Sequence, residues 1–209
     1  MCSAVSAEDE DKQLILFINA CVRKESRTKI LADRLLAKLK EDAKCNPEND
    51  IKNTAENVIE ELRLEEMSFP AADEAFLHKR DALLAAGKFE EPLFAPARQF
   101  ASADTIVIAA PYWDLSFPAA LKQYIEQVNV VGITFEYTPA GFPRGLCRAK
   151  KLYYVMTAGG TYVPEEFGYG YVKALAQNFY GIQDVELIKA VGLDIIGADV
   201  NKIIGEAEV

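Results

Sequence analysis

Three short stretches of the chain hold residue types that could together bind a charged, planar ligand. Residues 19–28, NACVRKESRT, end in Ser26-Arg27-Thr28, two hydroxyls and a guanidinium at the start of a helical pattern. A helix start carries unpartnered N–H donors and partial positive charge, so this triplet suits a phosphate; the competing reading makes Ser26 an N-cap and nothing more. Residues 111–118, PYWDLSFP, set the only tryptophan, Trp113, between Pro111-Tyr112 and Asp114-Leu115. Aromatic side chains on such a loop can wall a heteroaromatic ring while loop N–H groups bond its edge, or Trp113 can simply plug the top of a core. The third stretch opens on Thr157-Ala158-Gly159-Gly160. Glycine lets backbone approach a ligand without a side chain intervening, though a plain tight turn would use the same residues.

Composition removes several other chemistries. The 209 residues include one histidine, His78, in a probable helix with no second histidine and no cysteine cluster nearby, so neither a metal site nor a Ser-His-Asp triad is expected. No G-x-G-x-x-G or Walker pattern is present. The four cysteines, Cys2, Cys21, Cys45 and Cys147, show no paired spacing, which suits free thiols in a reducing compartment. Residues 1–12 are polar and acidic, without the apolar stretch of a signal peptide, and no run reaches the roughly 20 apolar residues of a membrane span. A cytoplasmic protein is the expectation. A net charge of −9 argues against nucleic acid and anionic membrane as partners. It also repels nucleotide phosphates, so a phosphate site here must be locally basic or built from backbone N–H groups.

The elements that must position these loops follow from hydrophobic periodicity. Residues 14–19, 105–110 and 152–156 are short apolar runs of the kind buried on both faces in a parallel sheet; a weaker run over 58–64 reads as an edge strand or the end of a helix, taken as a strand on the alternating rhythm, and a final strand covers about 185–191. Between them, helical spacing predicts helices over 28–43, from about 118 to Gly132 (with Val131 on its apolar face), and over 165–180, closed by Gly181. A short helix over 198–207 follows, and residues 67–95 read as a long surface excursion around a helical stretch at 72–86. Five strands alternating with helices give one α/β domain, residues 13–209, after a disordered acidic lead at 1–12. Its doubly wound, five-stranded parallel sheet would have helices on both faces. In such sheets ligands bind beyond the carboxyl ends of the strands where strand order reverses, and all three loops leave strands at that edge.

The runs ADTIVIAAPYWDLSFPAALKQYIEQV and GITFEYTPAGFPRGLCRAKKLYYVMTAGG make a resemblance specific. Over about residues 14–195 the chain resembles the FMN-dependent NADH-azoreductases and the related flavodoxin-like NAD(P)H:quinone oxidoreductases. The resemblance implies a flavodoxin-like fold and FMN bound at a homodimer interface, with NADH or NADPH as co-substrate and quinone or azo compounds as acceptors. Ser26, Arg27 and Thr28 match that family's phosphate loop, Pro111 through Leu115 its flavin-edge loop, and Thr157 through Gly160 the turn under the pyrimidine end. Tyr162 falls where relatives carry a histidine or aromatic residue near the substrate cavity, as a cavity wall or proton donor. The chain departs from the family at Arg27, Cys21 and Asp114, where Gln, Ser and Asn are more usual. The implied activity is two-electron transfer from NAD(P)H through the flavin by a ping-pong scheme, with Trp113, Phe135 and Tyr137 as dimer anchors. A non-enzymatic electron-transfer flavoprotein and a redox sensor of the same fold are the rival readings.

Overall fold

The structure is a computed structural model that describes residues 12–44 and 57–209. The acidic lead expected at the amino terminus lies outside the described residues, save for Lys12, which is exposed. Five parallel strands, β1 (Gln13–Asn19), β2 (Asn57–Arg63), β3 (Thr105–Ala109), β6 (Lys151–Thr157) and β7 (Asp184–Ala190), form one sheet in the order β2-β1-β3-β6-β7. From β1, second in the sheet, the chain steps outward to the edge strand β2, then returns across β1 to the central strand β3, so strand order reverses between β1 and β3.

Successive residues of a strand face opposite sides of the sheet, and both sides here are covered. On one side Leu16, Ile18, Ile106, Ile108, Leu152 and Tyr154 pack beneath α3 (Ala95–Ser102), α4 (Ala119–Val128) and α5 (Tyr169–Leu175). On the other, Ile15, Phe17, Val107, Val155 and Ile188 meet α1 (Arg27–Lys44) and α6 (Val200–Glu206). That double burial is why the three central strands read as unbroken apolar runs. The edge strand β2 alternates half-buried and exposed positions, which made its sequence signal weak.

Several elements differ from expectation. α4 stops at Val128 because Asn129 leaves helical geometry (φ −70°, ψ 83°), so Val131 lies beyond it and is 44% exposed. α5 begins at Tyr169 rather than near 165, since Gly168 takes φ +46° and breaks the chain direction there. It ends in a π-type turn, Ala176–Tyr180, closed by Gly181 at φ +80° as expected. The excursion holds α2 (Glu74–Ala85), none of whose residues is buried and on which His78 is exposed. It is not all surface, however: its Phe94 forms a small core with Ala97 of α3 and Val130. An antiparallel hairpin of β4 (Phe135–Tyr137) and β5 (Pro143–Gly145) was not foreseen. It buries Phe135 to 6% exposure against Phe179, so Phe135 belongs to the core and not to an interface. A methyl group added at Gly145 would lie 2.2 Å from the Gly181 nitrogen, so hairpin and helix end touch backbone to backbone.

Candidate functional site

The three loops singled out in the sequence meet at the reversal point. Ladder-like bonds carry the sheet edge outward: Ala20 N–H donates to the Ala109 carbonyl at 2.9 Å, Ala110 to Val155 at 2.9 Å, and Tyr112 to Thr157 at 3.0 Å. A cleft of ≈160 Å³ opens there, lined by Ser26, Arg27, Thr28, Pro111, Tyr112, Trp113, Thr157, Ala158 and Gly159 among others. Four of the sequence candidates are not in its lining. Asp114 and Leu115 turn away into a neighbouring cavity, and Gly160 and Tyr162 line neither space. Tyr162 is 82% exposed.

The base of the cleft is the amino end of α1. Ser26 Oγ accepts the Lys29 N–H at 3.3 Å and the Ser26 carbonyl accepts that of Ile30 at 3.1 Å, so Ser26 is a true cap. The amides of Arg27 and Thr28 are left without an acceptor inside the helix. The Thr28 hydroxyl sits 2.6 Å from that of Thr157, with the two residues 1% and 8% exposed. This pair ties the start of α1 to the end of β6. It holds two protons and needs one for its own bond, which leaves one hydroxyl free to donate elsewhere.

Arg27 is not the free cation that the sequence suggested. Its guanidinium donates to the Leu193 carbonyl at 3.1 Å and to Asp194 Oδ1 at 2.8 Å. The loop after β7 is therefore a fourth wall of the cleft, which the sequence reading missed. Its backbone is laced to the glycine turn, with Leu193 N–H donating to Ala158 at 3.2 Å and Asp194 N–H to Gly159 at 3.0 Å. A methyl group at Gly159 would stand 2.0 Å from Asp194 Oδ2, so this glycine makes room for a protein carboxylate. The available signal was positional: Gly192 and Gly197, both at positive φ, flank a loop leaving the next parallel strand.

On the opposite wall, Trp113 and Ser116 exchange both backbone bonds, at 3.1 and 2.7 Å, around Asp114 (φ +51°) and Leu115 (φ +65°). Positive φ at both central positions defines a type I′ turn, ordinarily Asn-Gly. Two side-chain-bearing residues held there carry on the order of 1 kcal/mol of strain each, the kind of cost that clusters at ligand sites. Tyr112 Oη is buried without a hydrogen-bond partner. Burial pushes its ionisation upward, with Tyr162 and Glu166 adding to the effect. Beyond the turn lies the second cavity, ≈450 Å³, walled by Phe117, Phe167 and Tyr171.

A five-stranded sheet in this order, with its cleft at the reversal point and at a helix amino end, is the architecture of flavodoxin-like proteins, and residues 13–208 match the flavodoxin-like fold family model. The chain belongs to that family. It is 38% identical over 200 residues to an FMN-dependent NADH:quinone oxidoreductase of Clostridium perfringens, covering 92% of each chain. It is 36% identical to a protein of the same name from Lachnoclostridium phytofermentans, covering 93% of each. Among solved structures, an azoreductase from Bacillus anthracis superposes with a TM-score of 0.75 at 26% identity, covering 92% of this chain and 93% of that one. Among the described residues, no helix is long and apolar enough to cross a membrane.

Proposed function

We propose that the chain, folded as one domain over residues 13–209, is an FMN-dependent NAD(P)H oxidoreductase acting on quinone or azo acceptors. The observation that carries this reading is the meeting of three separate loops in one cleft at the amino end of α1. The names of its relatives support it. The residues present fit the cofactor. Open amides at Arg27 and Thr28, the Ser26 hydroxyl and the spare proton of the Thr28–Thr157 pair suit a dianionic phosphate, and Tyr112 Oη is a buried polar atom awaiting a partner.

Bound there, FMN would supply hydride acceptance from NADH or NADPH and two-electron delivery to the acceptor. The chain's own part is positional and electrostatic. Pro111, Tyr112 and Trp113 would wall the ring, and Arg27, held by Leu193 and Asp194, fixes one side of the phosphate end, its charge balanced by the Asp194 carboxylate. The Thr157–Gly159 turn, which lines the cleft, would lie close to the cofactor, where glycine lets the backbone approach. Donor and acceptor use the same space in turn, a ping-pong scheme. Exposed Trp113 lines the cleft and exposed Leu115 and Phe167 the cavity beside it, which supports a two-fold homodimer in which Tyr162, itself exposed, would become a cavity wall. The unpaired cysteine spacing and acidic charge favour a cytoplasmic enzyme without nucleic-acid or membrane partners.

The test is an absorbance spectrum of the purified protein followed by NADH under nitrogen. A yellow protein that bleaches without any partner protein supports the enzyme. A colourless protein that does not take up added FMN refutes it, and slow bleaching restored by a second protein would point to an electron carrier.

A further inference from the structure

The cavity beyond the Trp113–Ser116 turn has a sign. Its walls are aromatic, with the Phe117 and Tyr171 rings 5.9 Å apart at 42° and Phe167 beside them. Three charged residues line it: Asp114, Glu166 and Lys122. Lys122 is bonded to Glu126 one turn further along α4, so its charge is already balanced. Asp114 and Glu166 have no cationic partner among the described residues, and both are exposed at the mouth. The cavity is thus net negative on a chain whose overall charge is −9.

We propose that this cavity takes the electron acceptor and selects neutral or cationic planar aromatics over anionic ones. The proposal rests on the oxidoreductase reading of the adjoining cleft. Two effects act in the same direction. Unpaired carboxylates at the mouth of a low-dielectric cavity concentrate cations and repel anions. The faces of Phe117, Phe167 and Tyr171 also attract a positive charge held over them and offer nothing to an anion. Because both carboxylates are water-exposed, each is worth about a threefold change in the ratio of cation to anion affinity, not the hundredfold of a dry site.

The test uses azobenzene carrying a para-trimethylammonium group, no substituent, or a para-sulfonate, with dissociation constants measured by equilibrium dialysis on FMN-loaded protein without NADH. At low salt the cation should bind about tenfold more tightly than the sulfonate, and the gap should shrink to about threefold in roughly 0.5 M salt. Glu166→Gln should narrow the ratio by about threefold, and Glu166→Lys should narrow it further, to near unity. Equal or tighter sulfonate binding by the unaltered protein, or a ratio that neither variant moves, overturns the proposal. NADH bleaching is read on the same preparation. Dye binding in the expected order with no bleaching would overturn the oxidoreductase reading while leaving the charge preference standing.

Discussion

The Thr28–Thr157 pair makes a prediction that can be worked from geometry. The two hydroxyls are 2.6 Å apart in a nearly sealed position, joining the first helix to the fourth strand of the sheet. Thr28→Val alone strands the Thr157 hydroxyl, and Thr157→Val alone strands that of Thr28. An orphaned buried hydroxyl costs about 1–3 kcal/mol, whereas replacing both partners by apolar groups of the same shape is close to neutral. Each single variant should therefore lose about 2 kcal/mol and the double variant about 1 kcal/mol, where additivity would demand about 4. For a chain of this size that is a fall in Tm of about 4–8 °C for each single change and about 2–4 °C for the pair. Urea unfolding of the cofactor-free protein, analysed as a double-mutant cycle, measures the coupling. A double variant that equals the sum of the singles within about 0.5 kcal/mol would show that the hydroxyls do not depend on each other.

Further tests follow from other contacts. Ser26→Ala should remove the cap of α1, costing about 1 kcal/mol, and weaken FMN about tenfold while leaving riboflavin nearly unchanged, as read by flavin fluorescence titration. Gly159→Ala should set its methyl group against the Asp194 carboxylate, push the glycine turn off the loop after β7 and weaken FMN binding; adding Asp194→Ala, which removes the clashing carboxylate, should restore much of it, both read by flavin fluorescence titration. Burial pushes the Cys21 thiol from 9.0 up to about 11, so it stays protonated in the fold while the unfolded chain ionises. Its contribution to stability is then complete below about pH 9 and lost as pH rises toward 11, and Cys21→Ala should flatten the decline of stability measured across that window.

Much of the architecture was legible because a parallel sheet covered on both faces leaves runs such as LILFIN and TIVIAA with no polar interruption. The same property fails at β4 and β5, three residues each with Pro143 and Gly145 inside, which show no alternation to detect. α3 was hidden because Pro96 sits in its first turn, where a proline is tolerated but reads locally as a break. For the site, positions next to strand ends were readable: Ser26, Thr28, Trp113 and Thr157 fall where the sheet edge demands them. The role of Asp194 was not, since its partner Arg27 is 167 residues away and nothing in the local composition marks the pair. The Asp114-Leu115 turn was equally silent, because its conformation contradicts the residue preference that would have announced it.

The link from Arg27 to Asp194 also bears on how the protein is made. The cleft draws on residues near positions 26, 111, 157 and 193, and its last wall joins only when the loop after β7 folds back onto the first helix. A nascent chain that has emerged only through Ala190 can pair its strands but cannot present this pocket. Capture of the cofactor by the full cleft must therefore wait until the loop after β7 has been made, and stabilisation by the flavin acts on the fold with that loop in place rather than on an amino-terminal intermediate. Quality control that senses flavin loading would in effect be proofreading the loop after β7.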